Sequence, residues 1–344
     1  MKLGLTLGPW DGRSPLPIET IQRAEALGFG TVWTAETYGA DAMTPLAYIA
    51  AHTSRIRLGT SVAQLDARTP ANLAMCAQTI DALAGGGRMV LGIGLSGPQI
   101  VEGWYGRPWG RPYPRLRDSV EIIRQIFLRE GKVEHKGSEV SLPYEGEGSS
   151  GLGKPLKSIM AATPDLPIMI GAGSPLNIRL AGEVADGWAG FHLVPETAPK
   201  YRALLSEGLA KRADGRTLDD FEISAVIGVT VTDDVHAALQ APKPYIALYA
   251  GGMGAKSMNF HKQAMVDRGY GEAAERIQEL YLAGRKDEAA DAVPDEYVDE
   301  EWLIGPPERI RSRLGAWRDA GIDELKMRFT TTEVLELMAE LVND

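Results

Sequence analysis

Short apolar runs alternate with longer amphipathic stretches along nearly the whole chain, and the junctions between them repeat one pattern. A helix-like segment, a glycine and an apolar run follow one another in AEALGFGTVWTAE around Gly28, DALAGGGRMVLGIG around Gly86, AGEVADGWAGF around Gly187 and WRDAGIDELKMRF around Gly321. Each glycine suits the left-handed residue that ends a helix, and each apolar run is short enough for a buried strand. The same reading places strands near residues 2–7, 30–35, 55–60, 89–93, 167–170, 187–190, 222–231 and 324–328. Strands that alternate with helices run parallel, and eight of them predict an α/β TIM (β/α)8 barrel, with a doubly wound sheet as the other arrangement. The helices carry matching stripes: Leu116, Val120, Ile123 and Phe127 share one face, as do Leu176, Leu180 and Val184.

Two stretches break the rhythm. Residues 131–165, rich in Gly, Ser, Lys and Pro, predict an excursion over the barrel mouth. Residues 241–304 carry helical patterns, clearest in GEAAERIQELYLAG, and predict a cap near the seventh strand; the Asp/Glu run at 287–301 reads as a solvated helix face. No linker divides the 344 residues, so one domain spanning 1–344, with both stretches as insertions at the C-terminal face of the strands, is expected. With 36 Lys and Arg against 46 Asp and Glu, the net charge is -10, which argues against a nucleic-acid surface. A strand begins at Lys2 and no apolar run approaches the roughly 18 residues a membrane span needs, so a cytoplasmic protein without a membrane partner is expected. The single cysteine, Cys76, excludes an internal disulfide and belongs to the packing of the apolar helix ANLAMCAQTIDAL.

Residues 166–188 hold the most informative junction: a strand runs into Gly171-Ala172-Gly173-Ser174 and a helix begins at once. Glycine lets backbone amides approach a ligand, Ser174 suits the N-cap, Pro175 suits the first turn, and a helix N-terminus favours an anion. The segment reads as a phosphate cradle or as a plain strand-to-helix turn. Other chemical motifs are sparse, with no HExxH, CxxC, P-loop or GxSxG. The five histidines, His52, His135, His192, His236 and His261, are scattered, so no metal site is expected. No lysine stands at an expected strand end to suggest a Schiff base, and the chemistry is expected from an organic cofactor. Gly92-Ile93-Gly94-Leu95-Ser96-Gly97 satisfies GxGxxG, but Pro98, Pro108, Pro112 and Pro114 prevent the immediate long helix of a dinucleotide fold. It reads instead as a glycine-lined loop at the C-terminal end of the fourth strand, where barrel active sites sit. Its aromatics, Trp104, Tyr105 and Trp109, either wall a pocket for a flat ligand or pack the loop.

Five stretches together, FGTVWTAETYGADAMTPLAYIAA, SRIRLGTSVAQLDARTP, LGIGLSGPQIVEGWYGRP, IGAGSPLNIRLAGEVADGW and LYAGGMGAKSMNF with the later IGPPERIRSRL, resemble the bacterial luciferase-like superfamily. Within it they resemble the deazaflavin-dependent oxidoreductases that use coenzyme F420. The resemblance implies a barrel with the deazaflavin across its C-terminal mouth and the ring entering the barrel. It implies that Glu36 and Thr37 lie near the ring, that Ser61 and Val62 form a bulge with a cis peptide against it, and that Ala63 and Gln64 continue that wall. Gly94, Ser96, Gly97 and Gln99 would offer backbone to the ring or ribityl chain, and Gly171, Ala172, Gly173 and Ser174 would take the phosphate. Phe191 and His192 stand where some relatives carry a basic residue facing the phosphate.

The implied chemistry is hydride transfer between C5 of the deazaflavin and an electrophilic carbon of a small molecule, a carbonyl, imine or activated alkene. Glu102, His192 or Tyr38 would handle a proton, although Glu102 has the alternative of pairing with Arg107 or Arg111. A flavin mononucleotide (FMN) monooxygenase with a partner reductase is the other reading within the superfamily; a cofactor-free barrel holding a sugar phosphate lies outside it. A homodimer is also implied, with Leu73, Ala74, Ala77 and Ile80 of the helix at 70–83 supplying apolar surface.

Overall fold

In a computed structural model that describes residues 1–8 and 10–343, closure of the sheet decides between the two α/β arrangements. Strands β1 (Lys2–Thr6), β2 (Thr31–Thr34), β3 (Arg57–Thr60), β4 (Met89–Gly94), β5 (Ile168–Ala172), β6 (Gly187–Gly190), β7 (Glu222–Val231) and β8 (Glu324–Arg328) each pair in parallel with the next. β8 then returns to β1, with Lys2 opposite Glu324 and Thr6 opposite Arg328. This is the expected TIM barrel; an open doubly wound sheet would keep two unpaired edges. Every expected strand is present, with ends shifted by at most two residues.

Gly28, Gly86 and Gly321 hold φ values of 86°, 90° and 69°, as residues that end helices in the left-handed region. Gly187 does not. It is the first residue of β6, where a Cβ would stand 2.6 Å from the Glu222 carbonyl oxygen, so close strand packing requires the glycine there.

Leu116, Val120, Ile123 and Phe127 of helix Pro112–Leu128 are buried as their spacing predicts. Helix Pro175–Val184 departs from its expected stripe: Ile178, Leu180 and Ala181 are buried, whereas Leu176 is 53% exposed in the first turn, above the level of the core. Leu73, Ala74, Ala77 and Ile80 are also buried, at most 4% exposed, because helix Pro70–Leu83 packs on both helix Pro112–Leu128 and β4. They serve the core and do not form a pairing surface.

Residues 131–165 reach the first turns of helix Pro112–Leu128, where Arg111 pairs with Glu139. They lie along the flank of helix Pro112–Leu128, where the Glu139 and Val140 amides donate to Asp118 at 2.8 and 2.9 Å and the Thr163 amide donates to the Phe127 carbonyl at 2.9 Å. The helix flank satisfies backbone groups that a polar excursion would otherwise leave bare. Residues 241–304 do cap the barrel beside β7: their helices enclose a second apolar cluster that includes Met265, Ile277 and Tyr297, and Trp302–Gly305 adds a strand parallel to β7. The acidic run within them is solvated at its start, where Asp287, Glu288 and Asp291 are exposed on their helix, but turns inward at its end. Helix Asp295–Glu301 buries Tyr297, Val298 and Glu301, and Asp299 pairs with Arg309 and Arg313. Among the described residues, no helix is long and apolar enough to cross a membrane.

Candidate active site

The C-terminal ends of β3, β4 and β5 make a floor out of backbone. Between the pairs Gly59–Val90 and Ala63–Ile93 the chain advances four residues on one side and three on the other, so one extra residue bulges out after β3. Thr60 sets the break in the ladder: its hydroxyl donates to the Gly92 carbonyl at 2.6 Å and accepts from the Gly92 amide at 2.9 Å. A Cβ at Gly92 would lie 1.8 Å from the Thr60 carbonyl oxygen, so only glycine permits this approach. The Ser61–Val62 peptide inside the bulge is cis, as the resemblance implies. The Ser61 amide donates to the Thr34 carbonyl at 2.7 Å, and the Val62 carbonyl accepts from the Glu36 amide at 3.3 Å. Val62 lies against the ends of β4 and β5, where a Cβ on Gly94 or Gly171 would come within 2.6 or 2.7 Å of its methyl groups.

β5 leads into the cradle. The Ala172 carbonyl accepts from Trp188 Nε1 at 2.9 Å, Ser174 Oγ accepts from the Asn177 amide at 3.3 Å, and Pro175 takes the first helical position. Gly173 is exposed beside that helix N-terminus, so an anionic group can approach the amides unhindered. A Cβ on Gly173 would also stand 2.9 Å from the Phe191 ring.

Glu36 and Gln64 clamp the loop after β2 onto the bulge. The Glu36 carboxylate is buried, held by Arg68 at 2.8 and 2.9 Å and by the Gln64 amide at 2.8 Å, while Gln64 Nε2 donates to the Glu36 carbonyl at 3.0 Å. Ala63 is fully buried, and Thr37 is half-exposed at the mouth. Ser96 adopts a left-handed φ of 59° and turns the chain from β4 into the short helix Pro98–Gly103, with Gly97 as its cap and Gln99 exposed on it.

Tyr38 and Trp104 form an exposed rim with ring centroids 6.4 Å apart, and Tyr105 donates its hydroxyl to the Thr37 carbonyl at 3.3 Å. Trp109 packs on the main core instead, under the Arg115 guanidinium. Tyr38 also reaches Met253 Sδ at 3.9 Å, tying the β2 loop to the second insertion. Glu102 is exposed; its carboxylate accepts from the Trp109 amide at 3.3 Å, while Arg111 pairs with Glu139, so the expected arginine pairing is not formed.

Across the mouth the scattered histidines meet. His192, held at a left-handed φ of 48°, brings Nδ1 to 2.7 Å from Glu301 Oε1 and Nε2 to 2.9 Å from His261 Nδ1. Arg268 closes on the same Glu301 oxygen. Burial raises the pKa of Glu301, but the charges and hydrogen bonds of His192 and Arg268 more than offset it and hold the carboxyl at about 2. An ionised Glu301 can only accept, so His192 Nδ1 carries a proton and Nε2 shares one with His261. Burial, and then the neighbouring His192, hold His261 well below its ordinary value. Tyr245, Tyr249 and Arg328 complete a small pocket around these three residues. Phe191 joins the two sides of the mouth, touching Gly173 on one side and stacking edge-on with His192 on the other. Glu301 and His261 escape a reading of the sequence because no local spacing links them to His192.

Residues 17–324 match the luciferase-like monooxygenase family. A Mycobacterium tuberculosis protein provisionally named a coenzyme F420-dependent oxidoreductase is 45% identical over 344 residues, 99% of each chain. Among solved structures, the coenzyme F420-dependent tetrahydromethanopterin reductase of Methanopyrus kandleri superposes with a TM-score of 0.78 at 23% identity, covering 98% of this chain and 97% of that one. An F420-dependent secondary alcohol dehydrogenase bound to an F420–acetone adduct superposes at 0.75 with 16% identity, covering 99% and 98%. These two likenesses are of fold.

Proposed function

The chain belongs to the luciferase-like monooxygenase family, and from that premise we propose that it is an oxidoreductase that uses the deazaflavin coenzyme F420 to move a hydride to or from a small organic molecule. The observation that carries the reading is the floor: three neighbouring strand ends exclude side chains around Val62 and lead directly into a glycine beside a helix N-terminus. A flat ring joined to a phosphate by a flexible chain fits that sequence of surfaces. When bound, the deazaflavin supplies C5 as hydride carrier.

The protein's own residues bind, orient and move a proton. Gly171, Ala172, Gly173 and Ser174 hold the phosphate, and backbone at Ser61, Val62 and Gly94 supports the ring. Ser96, Gly97 and Gln99 line the path between. Thr37, Tyr38 and Trp104 restrict water at the rim. His192 handles the proton: Glu301 fixes its Nδ1–H, so its Nε2, hydrogen-bonded to His261, is the nitrogen that takes a proton or returns it. This favours His192 over the exposed Glu102 and Tyr38. The substrate is a carbonyl, imine or activated alkene.

In the same reading the enzyme is cytoplasmic and pairs as a homodimer. Tyr48, Met75 and Leu83, exposed on the neighbouring helices Thr44–Ala50 and Pro70–Leu83, supply apolar surface for it, and light scattering at twice the mass of one chain is the expected result. The function itself is tested by titrating the purified protein with F420 and following absorbance. Saturable binding is expected; tight binding of FMN without binding of F420 would turn the assignment to the monooxygenase reading.

A further inference from the structure

Four charged side chains belong to the inward faces of the barrel strands beneath the floor: Arg57, Glu222, Glu324 and Lys326. Three of them answer one another. Arg57 forks onto Glu222 at 2.9 and 2.7 Å and lies 3.9 Å from one Glu324 oxygen, while the other accepts from Trp33 Nε1 at 2.9 Å. Lys326 is different. It is fully buried, its Nζ donates to Ser61 Oγ at 2.9 Å and stands 4.6 Å from the Trp33 ring centroid, and among the described residues it forms no ion pair. The register fixes its height: Lys326 lies opposite Gly4, between Glu324 below and Arg328 at the mouth. The ammonium therefore reaches from the interior up to the bulge that floors the mouth.

A buried ammonium is costly, and a hydroxyl, a ring face and the charges of Glu324 and Glu222, which are shared with Arg57, compensate it only in part. An apolar side chain of similar length would fill the same space with less penalty, so packing alone does not account for a cation there. Resting on the F420 reading, we infer that Lys326 is a positioning residue whose charge, relayed to the floor through Ser61, favours the reduced cofactor over the oxidised one. When a substrate C–H bond breaks and a C–H bond forms at C5, the ring receives a proton and two electrons and gains one unit of negative charge. The substrate balances this by releasing a proton to His192. A cation under the floor stabilises the added charge and acts far less on the oxidised ring. Burial lowers Lys326 to about 8, with Glu324 and Glu222 pulling the other way, so the ammonium keeps its charge at neutral pH.

The test is the reduction potential of bound F420, obtained from separate affinities for the oxidised and reduced forms. Lys326→Met should weaken the reduced form about tenfold more than the oxidised one, a fall of about 30 mV for a two-electron couple. Lys326→Arg, which keeps the charge, should hold the potential near the wild-type value. If Lys326→Met does not fold, Lys326→Gln, which is also neutral, is read in its place. Equal weakening of both forms in the folded neutral variant, or a potential in Lys326→Arg that falls as far as in that variant, would overturn the role of Lys326. Wild-type protein that binds neither form of F420 would instead overturn the cofactor reading and this inference with it.

Discussion

Between β3 and β5 the mouth is made of backbone: a bulge, glycines pressed against Val62, and a helix N-terminus beside Gly173. Between β6 and β8 it is made of long side chains, with His192 meeting Glu301 from 109 positions away and His261 from 69. A backbone floor is intolerant of added atoms, since each new Cβ meets something already in place. A buried charged chain is intolerant of removed atoms, since each deletion leaves a partner unpaired. The first kind of surface suits holding a rigid ring; the second suits holding and moving a proton.

Deleting the carboxylate of the charged side should have the largest effect. Glu301→Ala leaves His192 without its acceptor and Arg268, whose side chain is 3% exposed, with Glu300 as its remaining carboxylate, and should cost about 3 kcal/mol in urea unfolding. A loss under about 1 kcal/mol would mean that the cluster is not a buried unit. Adding atoms to the backbone side comes next. Gly173→Leu should lower F420 affinity about a hundredfold, or about 2.7 kcal/mol, while unfolding changes less, because Gly173 is exposed and its added atoms push only on Phe191. Unchanged affinity in the folded variant would remove the cradle from the site.

The eight strands are legible because each is a short apolar run closed by turn residues, so local pattern and tertiary role coincide. Ser174 and Pro175 are legible for the same reason, acting on the helix they begin. Leu73, Ala74, Ala77 and Ile80 mislead because helix Pro70–Leu83 buries two faces, and periodicity does not count a helix's neighbours. Glu301 misleads because its acidic run reads as solvated until His192 and Arg268 are brought to it. Lys326 is hidden by closure: only in the barrel do Glu324, Lys326 and Arg328 turn inward while Leu325 and Met327 join the outer core.

Acid should separate the two sides more gently. His261 is held below its ordinary 6.5, so below that pH the unfolded chain takes up a proton that the folded one refuses, and stability falls. Glu301, at about 2 against an ordinary 4.5, adds a second loss as pH drops from 4.5 toward 2. Unfolding measured from pH 7 downward should show both losses in the wild type, with His261→Asn flattening the upper one; an unaltered upper slope would contradict a buried neutral His261. The smallest effect belongs to Tyr105→Phe, which removes one hydrogen bond to the Thr37 carbonyl and should cost about 1 kcal/mol or less, with F420 affinity nearly unchanged. A large loss of affinity would show that the rim takes part in binding.

The most direct measurement mixes the purified protein, without oxygen and then with it, with reduced F420 and separately with reduced FMN, across a panel of aldehydes, imines and enones. Carbon in place of N5 removes the easy one-electron route to oxygen, so the deazaflavin should bind and exchange hydride with a substrate while no oxygen is consumed. Tight binding of FMN with substrate-dependent oxygen uptake, and no binding of F420, would contradict the account.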